Sequence, residues 1–80
     1  MKAYRRPMNL SLIELHLALA EEHLAKGERH IARQRDVVQL LSRGGYDTTA
    51  ARELLRDFEQ SQAMYLADRE RLRKELEEAD

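Results

Sequence analysis

The chain has 80 residues, of which 42% are hydrophobic and 36% are charged, and its formal net charge is −1 at pH 7. So short a chain forms one small domain with a thin core, and oligomerisation is a natural source of further stability. It contains no cysteine, which excludes a disulfide framework and thiolate metal sites and favours a cytoplasmic protein. The balanced charge makes nucleic acid an unlikely principal partner.

Residues 1–10 are predicted to form a basic leader ahead of the helical part. Pro7 disfavours a helical conformation at the residue before it, so we expect regular helix to begin after the proline. Glu14 and His16 interrupt the apolar segment over residues 10–20. No stretch approaches the roughly 20 apolar residues that a membrane span requires, and we expect no membrane partner.

A first long helix is predicted over residues 12–43. Ser11 and Glu14 have the spacing of a capping box, in which the two side chains satisfy free backbone N–H groups at a helix start. Apolar residues then recur at alternating steps of three and four, the pattern of a helix that packs against another helix along its length. The members of this heptad seam are Leu10, Ile13, Leu17, Ala20, Leu24, Gly27, Ile31, Gln34, Val38 and Leu41.

A loop over residues 44–47 separates this helix from a second one, predicted over residues 48–78. Gly44 and Gly45 suit a helix end, where glycine adopts the left-handed conformation at little cost. The second helix has its own seam, formed by Ala51, Leu55, Phe58, Gln62, Tyr65, Arg69, Leu72, Leu76 and Ala79. Two helices joined by a tight loop fold back antiparallel, so the sequence predicts an all-α helical hairpin, or coiled coil, in which facing residue numbers sum to about 89.

This register predicts which side chains meet across the seam. Leu17 faces Leu72, and Gly27 faces Gln62, which has room because glycine has no side chain. We interpret the polar seam residues Gln34, Gln62 and Arg69 as devices that set the register and orientation of the helices.

Three histidines at a spacing of seven residues lie beside the seam: His16, His23 and His30. In the predicted register they face Glu75, Asp68 and Ser61. A metal site on one helix needs ligands three or four residues apart, and none of the histidines has such a neighbour, so we interpret the stripe as a solvated flank.

Several large apolar residues fall outside both seams: Leu12, Leu15, Leu19, Leu40, Leu54, Met64 and Leu66. A hairpin of two helices has no third layer to cover them, and contiguous exposed apolar surface marks contact sites. We expect a homodimer that forms a four-helix bundle, with a different protein partner as the other possibility.

The alternative is a nucleic-acid-associated accessory role, in which Arg29, Arg33 and Arg35, together with the basic leader, contact phosphates. Catalysis has no support, because no phosphate-binding loop or nucleophile–base motif is present. Tyr46, Asp47 and Thr48 are interpreted as turn and cap residues. We therefore expect no catalytic residue, cofactor or metal, and a small non-enzymatic interaction or regulatory module.

Four segments resemble a group of short uncharacterised bacterial proteins. They are residues 27–35 (GERHIARQR), residues 45–51 (GYDTTAA), Phe58 and residues 67–72 (ADRERL). The resemblance implies a bacterial cytoplasmic helical hairpin, and it carries over no activity and no site residues.

Overall fold

The computed structural model describes the backbone of residues 2–79 and the side chains of residues 10–78. This part of the chain consists of two helices, α1 (Lys2–Arg43) and α2 (Thr49–Ala79), and contains no strand. The helices pack against each other as an antiparallel rod with dimensions of 65 × 14 × 14 Å. The predicted all-α hairpin is confirmed.

α1 begins earlier than the sequence suggested. It starts at Lys2, whereas the predicted start was residue 12, so the predicted basic leader is helical from its second residue and only Met1 lies outside the described backbone. The leader is rich in Lys, Arg, Ala, Met and Leu, which favour helix, and Pro7 removes only one backbone hydrogen bond near the helix end. Ser11 is therefore inside α1 and does not cap it.

Both predicted seams lie between the helices. Every seam residue with a described side chain is buried or half-buried; the side chain of Ala79 lies outside the described residues. Among the other described side chains, only Val37, Thr48 and Asp68 are not exposed. The most deeply buried apolar residues are Ala20, Leu24, Val38 and Leu72. Removal of these seams from water is the main apolar contribution to the hairpin's stability.

Two glutamines of the seam, one buried and one half-buried, fix the register of the helices. Gln34 Nε2 of α1 donates a hydrogen bond to the backbone oxygen of Ala51, and Gln62 Nε2 of α2 donates one to the backbone oxygen of Leu24, both at 2.9 Å. A shift of one helix along the other breaks both bonds and leaves buried amide groups without partners, which is costly. These contacts agree with the predicted role of the two residues.

Gly27 lies against Gln62, as the register predicted. A Cβ atom built on Gly27 overlaps the Oε1 atom of Gln62 and approaches its Cδ atom to 2.8 Å. The Gln62 amide therefore occupies the space that a side chain at residue 27 would take.

The loop reverses the chain over residues 44–48. The backbone N–H of Gly44 donates to the oxygen of Leu40 at 3.1 Å, and that of Tyr46 donates to the oxygen of Leu41 at 2.9 Å. Gly45 has a φ of 77°, a conformation that residues with a side chain rarely adopt. The glycine pair therefore closes the end of α1 as expected.

Asp47 caps α2. Its Oδ1 atom accepts hydrogen bonds from the backbone N–H of Thr49 at 2.9 Å and from the hydroxyl of the same residue at 2.7 Å. The backbone hydrogen bond, followed by the hydroxyl bond, lowers the pKa of the Asp47 carboxyl below its ordinary value. The cap explains why the second helix begins where it does.

Since the pKa of Asp47 is lower in the folded chain than in the unfolded one, its ionised cap stabilises the fold above the unfolded pKa of about 3.9. This contribution is lost as the pH falls through the folded pKa. Asparagine also caps helices but does not titrate in this range. We expect the melting-temperature difference between wild type and Asp47→Asn to shrink on acidification, as measured by circular dichroism. A difference that does not change with pH contradicts this assignment.

Candidate interaction surface

The exposed apolar residues are distributed unevenly around the hairpin. All seven that the sequence singled out are exposed, by 43% to 69% of their surface. Because residues seven apart in a heptad share a stripe, the register places five of them on the side that carries the three histidines, and Leu15 adjoins Leu12 and Leu19 on the outside of α1. We call this side the leucine–histidine face; its apolar members are Leu12, Leu15, Leu19, Leu40, Leu54 and Met64.

Leu66 is the exception, because it lies on the opposite side of the rod. It lines a groove of 530 Å³ together with Glu28, Ala32 and Arg35 of α1. This second side, the ion-pair face, carries the bonds between Arg35 and Glu59 and between Arg73 and Glu21, each at 3.3 Å. The structure thus separates Leu66 from the other six predicted contact residues.

A shallow groove marks the leucine–histidine face near the open end of the hairpin. It has a volume of 340 Å³, and buried Ala20 and Leu72 contribute to its lining. The other lining side chains are His16, Leu19, His23, Tyr65, Asp68 and Arg71. The groove combines apolar and polar groups, as protein interfaces do.

Two of the histidines contact aromatic rings of the seam: His23 is stacked on Tyr65, and His30 lies tilted against Phe58. The ring centroids of His23 and Tyr65 are 4.7 Å apart with an interplanar angle of 10°, and those of His30 and Phe58 are 5.5 Å apart with an angle of 32°. The expected histidine–carboxylate pairs are not formed among the described side chains, because Asp68 binds Arg71 at 3.4 Å instead. The histidines therefore extend the apolar surface of the seam onto the face.

This stacking brings two seam residues, Tyr65 and Phe58, to the interaction surface, where sequence reasoning did not place them. The feature of the sequence that could have indicated this position is the size of the two aromatic rings, which lie beside small and polar residues of the seam. A second groove of 190 Å³, lined by His23, Lys26, His30 and Ser61 among others, continues the first one along the rod.

The predicted arginine cluster is divided between two sides. Arg35 lies on the ion-pair face and binds Glu59. Arg29 and Arg33 are exposed one helical turn apart on the outside of α1, and in the described part of the chain neither forms an ion pair. The three residues thus do not form one phosphate-binding group.

Within the described residues, no group of three or more His, Asp or Glu side chains is placed to hold a metal ion. Neither helix, over the same range, is long and apolar enough to cross a membrane.

The loop residues Tyr46, Asp47 and Thr48 lie where the turn and cap interpretation placed them. Tyr46 is 70% exposed in the loop, whereas Asp47 caps α2 and Thr48 directly precedes it. Arg52 Nε donates to the Thr48 hydroxyl at 2.9 Å.

Comparisons with protein-family models, with curated proteins and with solved structures found no match for this chain. The leucine–histidine face is the feature of the chain that bears most directly on its function.

Proposed function

We propose that this protein is a small non-enzymatic interaction module that associates through its leucine–histidine face. Its first partner is a second copy of the chain, and a helix of another protein uses the same surface. The observation that supports this proposal is the one-sided distribution of six of the seven large aliphatic residues that are exposed among the described side chains.

The densest part of the face lies near the open end of the hairpin. Leu12, Leu15 and Leu19 are 53%, 55% and 45% exposed within eight residues of α1. Burying the exposed half of a leucine side chain contributes about 1 kcal/mol. For a rod only two helices thick, pairing with further helices adds the apolar layer that it lacks.

Two matched leucines allow a sharp test. Leu19 and Leu66 are 45% and 43% exposed, but they lie on opposite faces. We expect wild type to self-associate in sedimentation equilibrium, Leu19→Glu to be monomeric at the same concentrations, and Leu66→Glu to behave as wild type. The charge added is the same, so a difference between the variants reports the face that is covered. Wild type that stays monomeric, or equal effects of the two substitutions, contradicts self-association through this face.

Salt distinguishes this proposal from the nucleic-acid role. Of the three arginines in the described part of α1 that this role would use, Arg29 and Arg33 form no ion pair, whereas Arg35 is bound to Glu59. We expect self-association to persist as salt rises, because burial of apolar surface is not screened. Strong binding to duplex DNA that collapses with increasing salt favours the nucleic-acid role instead.

A further inference from the structure

We propose that the second copy binds antiparallel to the first along the outside of α1. This inference rests on the self-association proposed above and adds the direction and register of the two copies. The part of the leucine–histidine face that α1 turns away from α2 forms an outer stripe of nine exposed residues. They are Leu12, Leu15, Leu19, Glu22, Lys26, Arg29, Arg33, Asp36 and Leu40.

The apolar residues of the outer stripe lie at its two ends. Leu12, Leu15 and Leu19 are near the open end of the hairpin, and Leu40 is near the loop. A parallel pair of copies places each leucine against its own counterpart, whereas an antiparallel pair places Leu12 against the partner's Leu40. In the antiparallel pair this contact forms twice and Leu15 lies near the partner's Asp36, so the apolar residues alone do not favour this direction.

The charged residues in the middle of the outer stripe determine the relative direction of the two copies. In a parallel pair, each of these five residues faces its own copy, so like charges meet at every position. In an antiparallel pair with a two-fold axis beside Lys26, Glu22 faces the partner's Arg29, and symmetry forms this contact twice. Opposite charges across helices select orientation and partner in coiled coils, and like charges across an interface disfavour it.

Contacts within one chain agree with this arrangement. Lys26, which lies nearest the axis, has its charge balanced by its own Glu22 at 3.3 Å. Arg29 is free of ion pairs among the described side chains. The same axis sets Leu19 beside the partner's Arg33, whose methylene groups can cover a leucine while the charge stays in water. One register therefore forms the Leu12–Leu40 contact and the Glu22–Arg29 contact together, each of them twice.

Distances between spin labels report the direction. The chain has no cysteine, so Ser11→Cys, at an exposed position beside the stripe, introduces a single labelling site. Residue 11 lies 15 positions from Lys26, and its two copies in the antiparallel dimer are about 45 Å apart at 1.5 Å per residue. In a parallel dimer they are about one interhelical distance, roughly 10 Å, apart. Pulsed electron paramagnetic resonance separates the two values.

Gln39→Cys supplies the complementary label near the loop. In the antiparallel dimer, residue 39 of one copy lies beside residue 11 of the other. We expect a short distance between spin labels only when chains labelled at residue 11 are mixed with chains labelled at residue 39. Short distances in each variant alone, and none added by mixing, overturn the antiparallel arrangement.

Charge reversal tests the contact itself. Arg29→Glu places the new glutamate beside the partner's Glu22, and symmetry forms this repulsive contact twice. We expect the dimer dissociation constant to rise about tenfold. The double variant Glu22→Arg/Arg29→Glu restores opposite charges and recovers most of the affinity. Arg56→Glu, at an exposed position on the far side of α2, makes the same charge change and serves as the control. Loss without recovery in the double variant contradicts the proposed pairing.

The experiments distinguish failure of this inference from failure of the proposed function. Wild type that remains monomeric removes the function and the inference together. A dimer that Leu19→Glu splits, but whose residue 11 labels lie close together, keeps the function and overturns only the direction. Helix content measured by circular dichroism confirms that each variant is folded before its association is compared.

Discussion

Leu72→Ala is expected to lower the free energy of unfolding by about 2–5 kcal/mol, the range for truncating a buried leucine. Leu72 is 7% exposed and belongs to the seam of a rod with only one apolar layer. Domains of this length have a total stability of about 4–12 kcal/mol, so one truncation removes a large part of it. Urea denaturation followed by circular dichroism measures the change.

Leu66→Ala is the control, since it makes the same truncation six residues away on α2. Leu66 is 43% exposed, so its loss removes little buried surface, and we expect a change below about 1 kcal/mol. Leu66 also lies outside the leucine–histidine face, so its own truncation leaves that face unchanged. Equal effects of the two truncations indicate that the seam is not the core of the hairpin.

Gly27→Leu is expected to destabilise the hairpin by about 1–3 kcal/mol, even though leucine favours helix more than glycine does. A side chain at residue 27 occupies the position of the Gln62 amide. The glutamine then loses its hydrogen bond to the backbone oxygen of Leu24, and a well-packed layer has to rearrange. Thermal and urea unfolding measure the loss.

A double-mutant cycle shows whether this steric contact is the cause. Gln62→Ala alone removes the hydrogen bond and leaves a void, so it destabilises as well. Gly27→Leu/Gln62→Ala replaces the glycine–glutamine layer with a leucine–alanine layer, and we expect its stability to return to that of wild type or to exceed it. Additive losses in the double variant contradict a direct contact between the residues.

The seam was the part of the fold that the sequence predicted best. Its period appears at every position, and burial of the described seam residues follows it without exception. Gly27 opposite Gln62 was predictable because a missing side chain and a long one complement each other. The start of α1 was predicted wrongly, because the preference of the residue before Pro7 for a non-helical conformation is outweighed by the strong helix formers around it.

The ion pairs of the ion-pair face were harder to predict. In a register where facing residue numbers sum to about 89, Glu28 lies close to Glu59 and Arg35 lies close to Arg52, and both are pairs of like charge. The structure instead pairs Arg35 with Glu59 and Arg73 with Glu21, one heptad further along. Helical side chains lean toward the N-terminus of their own helix, so long residues on antiparallel helices reach partners that straight pairing misses.

The candidate surface was predicted in composition but not in arrangement. Each of the seven apolar residues proved to be exposed, since the heptad already excluded them from the seam. Their division between two faces depends on which flank of α1 and which flank of α2 lie on the same side of the hairpin. The stacking of His23 on Tyr65 depends on ring orientation, which spacing along a sequence does not specify.

The two ends of the hairpin differ in how easily they separate. Val38 and Ala51 are joined by a loop that two glycines close, whereas Ile13 and Leu76 meet at the far ends of the chain. Local opening therefore begins at the open end, and amide hydrogens are expected to exchange faster there than beside the loop. In the antiparallel dimer, the firm loop end of each copy lies on the fraying end of the other, so association protects the residues that exchange fastest in the single chain.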